Sequence, residues 1–230
     1  MDTTLTQRKY RLAARLGADA AKTYGLAWAA VFTALLVVSV IVRQAAGEYV
    51  DYAIFAVIGI PVVVAIVGWS NMYRSYPRAL VNGVTRKELL AAFAMQGVVM
   101  VLAATALTRL GLLAIGAFSN FRGAEYDPGF YGVGMADSAA RAVLWFACGA
   151  VAGVVMLRIP NRRLGVLVSV LILAVVYVRR DWLWINALPV IGGDDLDMSD
   201  VALIDAAFAV PFILATWILA ARAPIPPKRA

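Results

Sequence analysis

Six stretches of this chain are predominantly apolar over nearly the length of a membrane crossing: 25–42, 50–69, 89–107, 138–157, 164–178 and 201–221. Crossing ~30 Å of hydrocarbon takes ~20 helical residues, and five of the six run 18 to 21. The fold class expected is therefore all-α, a polytopic membrane protein of six transmembrane helices. The fifth run has 15 residues, but Arg162, Arg163, Arg179 and Arg180 bracket it and can snorkel to the two interfaces. The third can continue through Leu110 to Phe118 as a helix projecting past the bilayer.

Composition agrees. Apolar residues make up 63% and charged residues 15%, where a soluble domain carries about a quarter charged; the mean hydropathy is +0.80. A net charge of +7 raises nucleic acid as a partner, but the basic residues fall in short clusters between apolar runs. No nucleic-acid partner is expected, because that needs a solvated basic face. The chain has no histidine, which removes Ser-His and Cys-His nucleophiles, HExxH zinc sites and most imidazole chemistry. It has no GxxxxGK[ST] or GxGxxG, and Cys148 is its one cysteine, so no disulfide framework exists. No cofactor or metal is expected on this chain, and no catalytic residue.

Lys and Arg counts set the orientation. With the N-terminus inside, the cytoplasmic segments hold 15 of the 21 basic residues, and of the 14 acidic ones only Asp2, Asp19 and Glu88. Trp28, Trp69 and Trp217 then fall toward the inner interface, Trp182 and Trp184 toward the outer. Both termini are expected in the cytoplasm. The whole chain, 1–230, reads as one membrane domain: an interfacial helix over 1–22, the six-span bundle over 25–221, and a cytoplasmic tail over 222–230. Over 1–22, Arg8, Arg11, Arg15 and Lys22 share one arc of a helical wheel while Leu5, Leu12 and Leu16 share another. That pattern suits an amphipathic helix with leucines toward lipid and arginines toward anionic phosphates; a basic tail that merely enforces orientation fits as well. The first span is not read as a cleaved leader, since its apolar run exceeds the usual ~7–15 residues and no A-x-A site follows.

The first cytoplasmic loop, YPRALVNGVTRKELL over 76–90, is punctuated unlike any other. Pro77 suits the first turn of a helix, and Asn82-Gly83 ends one within about five residues. Thr85 and Glu88 then form a capping box for the next helix, worth about 1 kcal/mol. Two readings fit: a well-made inside-positive loop, or a rigid knuckle that docks on a cytoplasmic partner through Arg78, Arg86 and Lys87.

The extended pattern YPRALVNGVTRKELLAAF, together with six spans, an amphipathic leader and both ends inside, resembles the small permeases of the second export class of ABC transporters. That resemblance implies a membrane subunit of an ATP-driven exporter in a bacterial cytoplasmic membrane. Its loop Tyr76, Pro77, Arg78, Asn82, Gly83, Thr85, Arg86, Lys87 and Glu88 would be the coupling helix. ATP and magnesium would sit on a separate ATPase subunit, and a second permease chain, identical or a sister, would complete the pathway. The cargo would be hydrophobic or amphipathic. The family's outer segment before the last span is re-entrant or interfacial. Here 179–200, with Trp182, Trp184, Pro189 and Gly192-Gly193, fits that or an ordinary loop. Asp194, Asp195, Asp197 and Asp200 read as a solvated acidic mouth rather than a calcium loop.

Other features stay open to other functions. Gln96, Arg141 and Asp205 are polar groups within spans, where a charge at the centre costs ~2.5–3.5 kcal/mol. Arg141 and Asp205 can reach headgroups, pair with each other, or, for Asp205, carry a proton. Gly149-xxx-Gly153 is a small-residue face for close helix packing, within the chain or across a dimer. Pro61 and Pro211 should kink spans two and six. The alternatives are the substrate-binding membrane subunit of an energy-coupling-factor vitamin importer, for which Ala30-xxx-Ala34 is the pointer, and a stand-alone proton-linked carrier or immunity protein, for which Asp205 is.

Overall fold

The computed structural model describes residues 3–46, 52–121, 134–186 and 198–222, and every regular element among them is helical. Helix α1 (Thr3–Ala20) passes through a π-helical turn (Ala21–Gly25) into α2 (Leu26–Ala46). Then come α3 (Ala53–Ile58), α4 (Ile60–Ser70), a second π turn (Asn71–Ser75) and α5 (Tyr76–Val81). The remainder is α6 (Arg86–Phe121), α7 (Met135–Arg158), α8 (Arg162–Asn186) and α9 (Met198–Ala221). Five helices are long and apolar enough to cross a membrane: 10–42, 53–81, 86–118, 135–158 and 202–221. Helix α8 covers the expected fifth run, 164–178, but is not among these five.

Two pairs of neighbouring helical rods, each consecutive in the chain, pack antiparallel. Val57 meets Gly111 and Tyr76 stacks on Phe93, so α3–α5 runs antiparallel to α6. Ser169 Oγ donates to the Ala152 carbonyl at 3.0 Å and Trp145 meets Tyr177, so α8 runs antiparallel to α7. Helix α6, at 36 residues, is about 54 Å long at ~1.5 Å per residue, so it overshoots a ~30 Å core as its apolar continuation to Phe118 suggests.

Helix α7 is the hub. Fifteen of its 24 residues are buried, and it packs against α4, α6, α8 and α9. Small residues make this possible. A Cβ at Gly149 would stand 2.0 Å from the Ala65 carbonyl oxygen, and one at Gly153 would stand 2.6 Å from that of Trp69. From the other side, a Cβ at Gly68 would stand 2.5 Å from the Phe146 carbonyl oxygen. Gly149-xxx-Gly153 therefore packs within the chain, backbone against backbone on α4.

Three expectations change in detail. Pro77 does not open a separate stub: helix continues from Ile60 through Val81, with the π turn just before the proline. Proline lacks the N–H for Tyr73 and its ring crowds that carbonyl; the wider turn accommodates both, and Tyr76 N–H bonds Asn71. Pro61 does interrupt span two, at Gly59, whereas α9 stays helical through Pro211. Finally, Leu12 and Leu16 of α1 pack on Met72, Tyr76, Leu89 and Phe93 rather than facing outward, while Arg11, Arg15 and Lys22 are exposed. The leucine stripe is used against protein. The side chain of Leu5 and residues 187–197, with Pro189, Gly192, Gly193, Asp194, Asp195 and Asp197, lie outside the described residues.

Candidate functional site at the loop end and in the bundle

The stretch 76–88 is built from two interlocking caps. Val84 N–H bonds the Ala79 carbonyl at 3.1 Å and Gly83 N–H bonds Leu80 at 3.0 Å, the paired bonds of a Schellman stop. Gly83 adopts φ +77°, a conformation that costs glycine nothing. The chain restarts at once: Thr85 N–H donates to Glu88 Oε2 at 2.9 Å and Glu88 N–H to Thr85 Oγ1 at 3.3 Å. The capping box read from sequence is present in both directions.

This loop is also bolted to the far end of the sequence. The last carbonyls of a helix have no partner within it and carry partial negative charge. In α9 three of them are taken by three different elements. Tyr76 Oη donates to Ala220 at 2.7 Å, Arg158 Nη2 donates to Leu219 at 2.9 Å, and Arg86 Nη1 donates to Ala221. Tyr76 is buried beneath Phe93 and Leu16. The remaining residues of the expected site divide by exposure: Arg78, Asn82, Gly83, Thr85 and Lys87 are exposed, and Pro77, Arg86 and Glu88 are half-buried. A set of outward groups thus stands on a base joined to α5, α6, α7 and α9. Tyr76→Phe, which strips the donor and leaves a buried carbonyl unpaired, should cost about 1–3 kcal/mol. Thr85→Ala should cost about 1 kcal/mol. Thermal unfolding in detergent checks both, and Tyr76→Phe should be the larger.

The polar groups expected within spans fall in two places. Arg141 does pair with Asp205, Nε to Oδ2 at 3.9 Å, but its closer partner is Asp137, Nη2 to Oδ2 at 3.1 Å. Asp137 and Asp205 are 2% and 0% exposed. One arginine is therefore shared by two buried carboxylates, one from its own helix and one from α9. Arg141 also lines a cavity of about 190 Å³ with Ser138 and Thr108, between α3, α4, α6 and α7. Asp137 went unnoticed in the sequence because it lies just ahead of the apolar run; its i, i+4 spacing to Arg141 was the available signal.

Gln96 is elsewhere, 1% exposed on α6. With Val57 against Gly111 and Tyr76 on Phe93, the antiparallel register sets it about level with Met72. Among the described residues neither amide atom of Gln96 has a hydrogen-bond partner, and neither does Asn71 Nδ2. Groups of this kind are costly in an apolar wall. Nothing in the geometry brings Gln96 to Arg141 or to the loop. No metal-ligating cluster occurs among the described residues. No family model, no curated protein and no solved structure matches this chain.

Proposed function

We propose that this chain is the membrane-spanning permease subunit of an ATP-driven exporter, working with a separate ATPase that docks on 76–90. In this reading α8 is the sixth crossing, both termini are cytoplasmic, the membrane is the bacterial inner membrane, and a second permease chain completes the pathway. ATP and magnesium belong to the partner. The observation that carries the reading is the bolted loop. A push on Arg78, Asn82 or Lys87 would move α5 and α6 directly and α9 through Tyr76 and Arg86. An ordinary connector has no need of two caps and a clamp on a distant helix end.

Affinity purification of the tagged chain from its native membrane tests this. It should recover an ATPase subunit, and Arg78→Glu should cut that recovery at least several-fold with the fold intact. A chain that brings down no ATPase, or an Arg78→Glu variant that recovers it fully, removes the proposal. A proton-linked carrier is the second reading, favoured by the buried Asp137 and Asp205 carboxylates around Arg141.

A further inference from the structure

Helices α6 and α9 both pack against α7, and between them runs a cleft of about 340 Å³. Ala94, Gly97 and Val98 form one wall, Ile213 and Trp217 the other, and Phe146 lies on the floor. The rim side chains Val98, Ile213 and Trp217 are 61%, 47% and 54% exposed and belong to membrane-length helices. The opening therefore faces hydrocarbon. By volume the cleft could take about eleven waters at ~30 Å³ each. Apart from the Trp217 indole, however, the one polar side chain lining it among the described residues is Thr216, which already donates to the Phe212 carbonyl at 2.8 Å. Such a cavity stays dry and calls for an apolar occupant. Glycine keeps it deep: a Cβ at Gly97 would come within 2.8 Å of the Phe146 ring.

One charge is placed to choose that occupant. Lys87, Leu90, Ala94 and Val98 are spaced three, four and four residues apart, so they form one stripe of α6. The last three line the cleft, and Lys87, exposed, lies one turn before Leu90 at the loop end of the same stripe. Trp217 on the facing wall has the amphipathic ring favoured at a membrane interface. We propose that the cleft holds one acyl chain of an anionic phospholipid whose headgroup phosphate pairs with Lys87. A chain already in hydrocarbon gains only packing by entering, so the lysine supplies the choice of headgroup.

The test uses Trp217 as reporter in the full chain, reconstituted in phosphatidylcholine vesicles. Brominated-chain phosphatidylglycerol or brominated-chain phosphatidylcholine is then added as quencher. The Trp217 share of the fluorescence is the difference from Trp217→Phe. It should be quenched at about fivefold lower mole fraction of the anionic lipid, the preference one lysine near the surface provides. Lys87→Gln should abolish that preference while quenching persists. Ala94→Leu, which enters at an exposed position and spares the packed face, should weaken quenching by both lipids. Equal quenching by the two lipids would overturn the proposal. So would a Trp217 that neither lipid quenches, with Val98→Cys cross-linking between chains, since a second copy would then fill the cleft. No ATPase is present in this experiment, so its failure and that of the ATPase-coupled reading are separate results.

Discussion

Gly149→Val should leave little folded protein. At this position the α7 and α4 backbones touch, and even a methyl carbon would lie 2.0 Å from the Ala65 carbonyl oxygen. Overpacking a well-filled site costs typically ~1–3 kcal/mol, and more where neither neighbour can yield. Here the obstacle is main chain in the middle of a buried helix, which cannot rotate away as a side chain can. Separating the helices would also disturb Gly153 against Trp69 and Gly68 against Phe146, two further contacts of the same kind. We expect a loss of at least about 3 kcal/mol, seen as a melting temperature lowered by about 10 °C or as aggregated protein on size exclusion in detergent. Gly17→Ala is the matched control. It lies in helix α1 with nothing within 4 Å of a Cβ, and it should gain about 0.5–1 kcal/mol from helix propensity. A Gly149→Val chain as stable as the parent would mean that α4 and α7 are not in contact as described.

The contrast between these two glycines shows what was legible in the sequence. The small-residue spacing marked Gly149 and Gly153 as a close-packing face, yet it could not name the partner, because helix–helix contacts in lipid carry no polarity signal to match. Local chemistry was more informative. Thr85 and Glu88, and Asn82-Gly83, specify their caps within a few residues, and both caps form. The clamp on α9 was invisible for the opposite reason: Tyr76 and Ala220 are 144 positions apart, and a carbonyl leaves no trace in a sequence. The two π turns, at Ala21–Gly25 and Asn71–Ser75, likewise escaped. The apolar pattern was broken into an interfacial helix and a span, or a span and a stub, where the backbone runs on. Hydropathy located the long apolar helices but not their ends, since α3 to α5 extends to Val81 and α6 begins at Arg86.

Arg141→Met should be the most damaging polar change, and its damage should be reversible by a second substitution. The arginine stands between Asp137 at 3.1 Å and Asp205 at 3.9 Å, both carboxylates almost wholly buried. Removing one member of such a buried charged set costs about 3–5 kcal/mol. Replacing the whole set by neutral groups of similar shape is often nearly neutral. Arg141→Met alone should therefore give a poorly folded chain, Arg141→Met with Asp205→Asn a partly recovered one, and addition of Asp137→Asn nearly parental stability. Arg141→Lys should not substitute fully, because a compact ammonium lacks the planar fork that reaches two carboxylates at once. Melting of each variant in detergent gives the couplings, expected at about 1–3 kcal/mol for groups in contact. Additive losses would mean that the three charges do not act together. The same series separates a strut from a carrier. On the proposed exporter reading, if the cluster only ties α7 to α9, transport should follow stability through every variant. An Asp205→Asn chain that melts like the parent yet moves no cargo would instead make that carboxylate a proton carrier and favour the second reading.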